Sequence, residues 1–375
     1  MTDHEAYILL NLLGGIGPAR LSALLGFCGE PSGIFRTPAR DLASVQGISE
    51  ALADKIVHWE SHADLAGELD LAERGGARIV TRGEEDYPEL LSTIHDAPIC
   101  LYVRGTIPEN ISQRSLGIVG TRNMTAYGQR MTRHLAEAAA FSGFAVVSGL
   151  AYGVDVTAHQ AVLDAGGETV SVLGGGLARI QPQDHIPLAR EIMQHGAVIS
   201  EFPMEFAPTR HSFPMRNRII SGLCRATLVV EAGLNSGSLI TAAFALEQGR
   251  IVFAVPGQAD NPQAAGCNRL IRQNAILVEN FDHILEEFDF LPGFARAENT
   301  IREDSAAEDF FREAADSSVS TEAGKILDVL QKGDASVDDI SAAADLPAGE
   351  VMSALIGLEL LRRVKKTGNV YHRLR

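Results

Sequence analysis

Residues 116–125 read LGIVGTRNMT, an apolar run that passes through Gly120, Thr121 and Arg122 into a polar stretch opening a helix near Thr125. Four consecutive apolar or small residues followed by a glycine turn and a helix start are the signature of a buried strand feeding a helix. The same grammar recurs along the chain. ARIVT (77–81), FAVVS (144–148), TVSVLG (169–174), AVISE (197–201), ATLVVEA (226–232), IVFAVPG (251–257) and AILV (275–278) are all short apolar runs. Amphipathic helical stretches lie between most of them. Apolar strands alternating with helices imply a mostly parallel sheet covered on both faces, an α/β fold of extended Rossmann-like type. In such open sheets, ligands bind beyond the carboxyl ends of the strands.

Outward from this centre the pattern changes. Residues 4–60 read as short helices. LLNLLGGIGPARLSALLG carries a tight Gly15-Ile16-Gly17 turn with Pro18 at a helix start, and SVQGISEALADKIV (44–57) is a looser echo in which Ser49 stands where the second glycine would be. A helix–hairpin–helix (SAM-like) domain is expected over 1–70, and its glycines serve either a phosphate contact or only a close helix turn. The Rossmann-like domain is expected over 71–290 and an acidic linker over 291–318. Residues 319–375 read as three helices, TEAGKILDVLQ, SVDDISAAADL and PAGEVMSALIGLELLRRV, then a hairpin around Gly368-Asn369, which is a winged-helix pattern. From Arg362 onward there are six Lys and Arg and no acid, so the wing suits either DNA or a protein partner.

The chain has 375 residues and a net charge of −16. An acidic total argues against nucleic acid, but the charge is unevenly spread. Residues 1–99 carry 16 acids and 7 bases, whereas residues 100–290 carry 17 acids and 14 bases, all of them arginine. Arginine forks onto phosphate and stacks on bases, so local anion sites remain available. Cys28, Cys100, Cys224 and Cys267 form no CxxC pair, which disfavours zinc and a disulfide framework. No apolar run reaches the length of a membrane span, and the start MTDHEAYILLNLLGGIG lacks the basic residues of a secretory signal. A cytoplasmic protein without cofactor or membrane partner is expected.

The strand ends carry the chemistry. Gly120-Thr121-Arg122 offers close backbone approach, helix amides and a fixed positive charge, but it is not GxGxxG, and the next strand ends in Ser148-Gly149 rather than the acid that binds a ribose. The loop from Ser148 to Asp155 again offers hydroxyl and glycine amides. Asp155 and His159 lie four residues apart on one helix face, either a structural pair or an acid–base pair. Gly174-Gly175-Gly176 allows very close approach. Residues 210–218 read RHSFPMRNR: Arg210, Arg216 and Arg218 with Asn217 and Phe213, the last either a stacking face or core. Arginine in the first turn of a helix opposes its dipole, a conflict that an anion removes. Ser236-Gly237-Ser238 enters a further helix, and Glu231 at a strand end is either a catalytic carboxylate or an orienter of an arginine such as Arg218. Pro256-Gly257 with Asn268, Arg269 and Arg272 shapes the rim. Several such loops on one sheet edge exceed what a single small nucleotide needs.

At these motifs, from DYPELLSTIHDAPICLYVRG through FPMRNRIISGL to FAVPG (86–257), and over residues 86–279 as a whole, the chain resembles the DprA/Smf family of bacterial DNA-processing proteins. The resemblance implies a non-catalytic protein that binds single-stranded DNA without sequence specificity, protects incoming strands in natural transformation, and helps to load RecA recombinase. It also implies homodimers formed through the Rossmann-like domain. Carried over by position, the DNA site would comprise Gly120, Thr121, Arg122, Ser148, Gly149, Gly174, Arg210, Phe213, Arg216, Asn217, Arg218, Ser236, Gly237 and Ser238. Two departures stand out: Gln181 where the family commonly has tyrosine before proline, and Gln273-Asn274 where it usually has a glycine. The alternative is a phosphoribohydrolase-like enzyme acting on nucleotides with Glu231 or Glu247 as the acid, although a PGGxGT motif is missing.

Overall fold

In a computed structural model, which describes residues 1–291, 294, 321–331, 333, 335–360, 364–367 and 370–373, the chain divides into two compact units, Met1–Asn299 and Thr300–Arg375. The first holds a nine-stranded sheet. Its strands are β1 (Arg78–Thr81), β2 (Cys100–Gly105), β3 (Ser115–Val119), β4 (Ala145–Ser148), β5 (Thr169–Val172), β6 (Gly196–Ser200), β7 (Ala226–Val229), β8 (Ile251–Ala254) and β9 (Ile276–Leu277). They lie in the order β1-β2-β6-β5-β4-β3-β7-β8-β9. The seven from β6 to β9 are parallel, and β2 joins β6, and β1 joins β2, in antiparallel register. The sheet is therefore the mostly parallel Rossmann-like sheet that the apolar runs imply, with an antiparallel extension at one edge.

The side chains alternate between two cores, as the period of two requires. On β3, Leu116 and Ile118 enter one cluster and Val119 the other; on β4, Val146 separates Ala145 and Val147 in the same way. Helices α8 (Ala126–Phe141), α9 (Val154–Asp164) and α14 (Asp282–Asp289) cover one face. Helices α11 (Ser212–Leu223), α12 (Ser238–Glu247) and α13 (Ala265–Arg272) cover the other, with the short α7 (Glu89–Ser92) beside α11, and α10 (Ile186–Ile192) packs beside α9. Strands β3 to β6 step outward in one direction, and then β7 returns to the opposite side of β3, with Leu116 paired to Ala226 and Val119 to Val229. That reversal opens a crevice between the carboxyl ends of β3 and β7, where neighbouring connections leave in opposite directions.

The N-terminal helices α1 (Asp3–Leu13), α2 (Pro18–Cys28), α3 (Pro31–Ile34), α4 (Ala39–Leu42), α5 (Glu50–Val57) and α6 (Leu65–Arg74) enclose mostly their own apolar cluster. Gly14 and Gly15 have φ of 64° and 74°, left-handed values that glycine adopts freely. Pro18 opens α2, and Ser49 caps α5 by accepting from Leu52 N at 3.2 Å, so serine there has its own local reason. These helices lock onto the sheet: Asn11 Nδ2 donates to the Glu201 carbonyl at 3.0 Å, and Met204 N donates to buried Glu68 Oε1 at 2.7 Å.

The second unit has α15 (Thr321–Leu330), α16 (Val337–Ala344) and α17 (Ala348–Leu360), with β10 (Ala335–Ser336), β11 (Val364–Thr367) and β12 (Val370–Arg373) in the order β10-β12-β11. Ser336 caps α16 with a reciprocal Asp339 box. Three helices and a hairpin make the winged helix that the sequence implies. The hairpin tip at Gly368-Asn369 and nearly all of the expected 291–318 linker lie outside the described residues.

Candidate nucleic-acid interface

A cavity of about 770 Å³ occupies the crevice between β3 and β7. Its walls are the loop after β3, the loop after β7 and the start of α11. The first two are tied together where Thr121 N donates to the Glu231 carbonyl at 2.7 Å. Of the residues expected from sequence, Gly120, Thr121, Arg122, Arg210, Phe213, Arg216, Asn217, Ser236, Gly237 and Ser238 line it.

Two arginines are available to an anion. Arg122 and Arg210 are both exposed, and among the described residues neither forms an ion pair. The Arg122 guanidinium lies 5.9 Å from the centroid of the Phe213 ring, within range of a cation–π contact. Phe213 is itself held in place by the third loop: a Cβ at Gly174 would come within 2.9 Å of its ring, so glycine at 174 makes room for the aromatic. On the far wall, Ser236 Oγ and Ser238 Oγ are 2.8 Å apart, and Gly237 gives α12 an N-cap without a side chain. Asn217 Nδ2 reaches the Gly237 carbonyl at 3.4 Å and joins the two walls.

Arg216 plays a different part. It is almost wholly buried, and its Nη1 donates to the Gly149 carbonyl at 2.6 Å and to that of Val172. Burial lowers its pKa to about 10, with Asp155 opposing the shift. Asp155 in turn accepts from Gly149 N at 3.2 Å and Ala151 N at 3.3 Å. Burial raises its carboxyl above the ordinary range, while Arg216 and those two amides hold it down. The conflict with the helix dipole is thus met internally, by strand-end carbonyls and a buried carboxylate, while Arg216 still lines the cavity.

Four expected contacts are absent from the cavity wall. Arg218 turns away: its Nε lies 3.1 Å from Asp96 Oδ2, and its Nη2 pairs with Glu201. Two residues along a helix rotate a side chain by about 200°, so Arg216 and Arg218 take nearly opposite faces of α11. Ser148 is buried and donates to the Ile118 carbonyl at 2.6 Å. Gly149 lies under Arg216, and Gly174 under Phe213. These last three form the floor behind the lining.

The candidate acid–base groups are also engaged. Glu231 is 2% exposed; its Oε2 accepts from Thr125 N at 2.7 Å and its Oε1 from Thr125 Oγ1 at 2.8 Å. It closes the start of α8 and does not orient Arg218. His159 does not hydrogen-bond Asp155: its Nδ1 lies 2.7 Å from Thr169 Oγ1, and Thr169 itself donates to the Val146 carbonyl. Burial depresses the imidazole pKa to about 3, and Arg216 adds to the effect.

The cavity also has a lining that residue-type reasoning passed over: Ala151, Leu234, Asn235, Ile240, Pro262 and Gln263 among others. Leu234 and Ile240 are 52% and 41% exposed, an apolar lip. An apolar residue inside the polar Gly233–Ser238 turn was the available signal for Leu234; Pro262 and Gln263 offer none in the sequence. The expected sixth loop is internally bonded, Asn268 Oδ1 accepting from Gly257 N at 3.2 Å, and the rim falls to Pro262 and Gln263 instead. Asn274, at the position where a glycine was the expectation, has φ of 71°, which asparagine tolerates better than most residues.

Residues 78–289 match the family model for DNA recombination-mediator protein A, and residues 312–368 match the DprA winged helix domain. The chain is 38% identical to Protein Smf of Escherichia coli strain K12 over 81% of its own length and 79% of that protein's. Among solved structures it resembles DNA processing protein A from Streptococcus pneumoniae (TM-score 0.67, 31% identity, 78% of this chain and 99% of that one). It also resembles DNA processing protein A from Helicobacter pylori, whose structure concerns its single-stranded DNA binding mode (TM-score 0.50, 27% identity, 57% of this chain and 96% of that one). No helix among the described residues is long and apolar enough to cross a membrane.

Proposed function

The chain belongs to the DNA recombination-mediator protein A family, and from that premise we propose that it binds single-stranded DNA without regard to sequence, in the crevice between β3 and β7. The observation that carries this reading is the exposed Arg122 guanidinium set over the Phe213 ring at the mouth of the cavity. A cation beside an aromatic face is the pairing that a nucleotide unit calls for, phosphate on the one and base on the other. Arg210 supplies a second cation, and the Ser236–Ser238 turn supplies hydroxyls. Every base has a π-face, so stacking of this kind is indifferent to sequence.

The protein acts as a binder and not as a catalyst in this reading. Both Glu231 carboxylate oxygens are held by Thr125, and the His159 ring is sealed from solvent, which supports binding over phosphoribohydrolase chemistry. Family membership further supports protection of incoming strands, loading of RecA recombinase, and homodimers through the Rossmann-like domain. The helical domain is assigned to 1–70, the DNA-binding domain to 71–290 and the winged helix to 319–375, with a linker between the last two. Titration of fluorescent oligonucleotides tests the central claim. Single strands of differing sequence should bind alike and more tightly than duplex, and equal affinity for duplex would remove the reading.

A further inference from the structure

One exposed aromatic residue, next in the chain to the cavity-lining Ala151, is held in a fixed orientation. Tyr152 is 47% exposed, yet both ends of its side chain are fixed. Its hydroxyl donates to Asp184 Oδ2 at 3.1 Å. Its ring meets the His185 ring edge-on, with centroids 4.7 Å apart and planes at 70°. His185 is buried, and its Nδ1 donates to the Leu150 carbonyl at 2.8 Å, so the support does not itself move freely.

The backbone fixes where this ring emerges. Leu150 is wholly buried at φ 58°, a left-handed value uncommon for leucine. Gly153 follows at φ 79°, and a Cβ there would fall 2.3 Å from the Thr121 carbonyl oxygen and 2.7 Å from that of Arg122. The backbone of Tyr152 is thus flanked by Ala151, which lines the cavity, on one side and by Gly153, which packs against the backbone of Thr121 and Arg122, on the other.

We propose that Tyr152 is a second base-stacking platform, on which a single strand running past the Arg122 loop lays a base outside the cavity. This deepens the single-stranded DNA reading and rests on it. The chemistry selects a base over a phosphate at this position: the Asp184 carboxylate beside the ring repels an anion, whereas a neutral π-face stacks on a preoriented tyrosine. Preorientation matters because ordering a free side chain on binding would consume part of the stacking energy.

The test compares Tyr152→Ala, Tyr152→Phe and Tyr152→Trp with wild type and with Arg122→Ala, using a long oligothymidylate titrated over a range of salt. Tyr152→Ala should weaken binding on the order of 10-fold with an unchanged salt slope, since no phosphate contact is removed. Tyr152→Phe keeps the ring and its His185 contact but loses the Asp184 anchor, and should lose much less affinity than Tyr152→Ala. Tyr152→Trp should bind and show emission quenched by the oligonucleotide beyond any change at Trp59 in wild type, a signature that a merely structural tyrosine would not produce. Wild-type affinity in Tyr152→Ala, or unquenched Tyr152→Trp emission at saturation, overturns the platform. If Tyr152→Ala does not fold, the quenching alone decides. Loss of affinity in Arg122→Ala with none in Tyr152→Ala removes the platform and leaves the DNA reading standing. No loss in either variant removes both.

Discussion

Arg216 and Gly149 are built around each other: the guanidinium donates to the glycine carbonyl at 2.6 Å, and a single added Cβ at Gly149 would lie 2.2 Å from Nη1. Glycine at 149 therefore exists to admit the arginine, and the arginine bolts α11 to the ends of β4 and β5. Removing it leaves Asp155 buried beside unpaired strand-end carbonyls. Arg216→Ala is expected to cost about 3 kcal/mol, and Gly149→Ala about 1–3 kcal/mol through overpacking, both measured by chemical denaturation. A wild-type unfolding midpoint in both variants would show that the bolt carries no weight.

Arg122 and Arg218 look equivalent in the sequence but are expected to differ in their effects. Arg122→Ala should weaken binding of a single-stranded oligonucleotide and reduce the salt slope by about 0.7, the loss of one phosphate contact. Arg218→Ala should leave that slope intact and lower stability instead, because Glu201 is then buried without its partner. Salt-dependent anisotropy titrations alongside melting curves separate the two, and a shallower slope in Arg218→Ala would contradict the assignment.

Glu231→Gln should lower stability by about 1–2 kcal/mol, since an amide can accept from only one of the two Thr125 donors with the same geometry. Incubation of wild type and variant with nucleoside monophosphates should release no free base from either. Base release by wild type that the substitution abolishes would restore a catalytic role.

Stability should depend on pH through His159. Its folded pKa, about 3, lies below the ordinary value of 6.5, so the unfolded chain binds more protons between these two values. The contribution is complete above pH 6.5 and is lost as pH falls through that window. Asp155, whose carboxyl is raised by burial, acts in the opposite sense above its own ordinary value. His159→Asn can still donate to Thr169 but cannot be protonated, and it should flatten the fall in unfolding free energy between neutral and mildly acid pH. An unaltered profile in that variant would assign the acid sensitivity elsewhere.

The alternating apolar runs were legible because burial on both faces of a parallel sheet leaves a composition that local reading detects. Gly120 to Arg122 and Ser236 to Ser238 could be assigned to the site for the same reason: strand ends in this fold converge wherever the strand order reverses. The arginines were harder. Arg210, Arg216 and Arg218 fall within nine positions, and only the helical period through Ser212–Leu223 hints that the last two part company. Asp155 and His159 were placed on one helix face by spacing, yet Thr169 on the neighbouring strand takes the imidazole.

The sequence by itself determined the doubly covered sheet, the glycine and hydroxyl loops at its edge, the winged helix and the supply of positive charge as arginine. Those features depend on periodicity and on residues near in the chain. The tertiary structure alone decided which arginines stay exposed at the crevice and which are engaged within the protein. Among the described residues Arg122 and Arg210 form no ion pair at the crevice, while Arg216 and Arg218 are drawn inward by carbonyls and carboxylates that are distant in the chain, at Gly149, Val172 and Glu201 among others. The partner that neutralises a charge is chosen by proximity in space, and no local pattern encodes it.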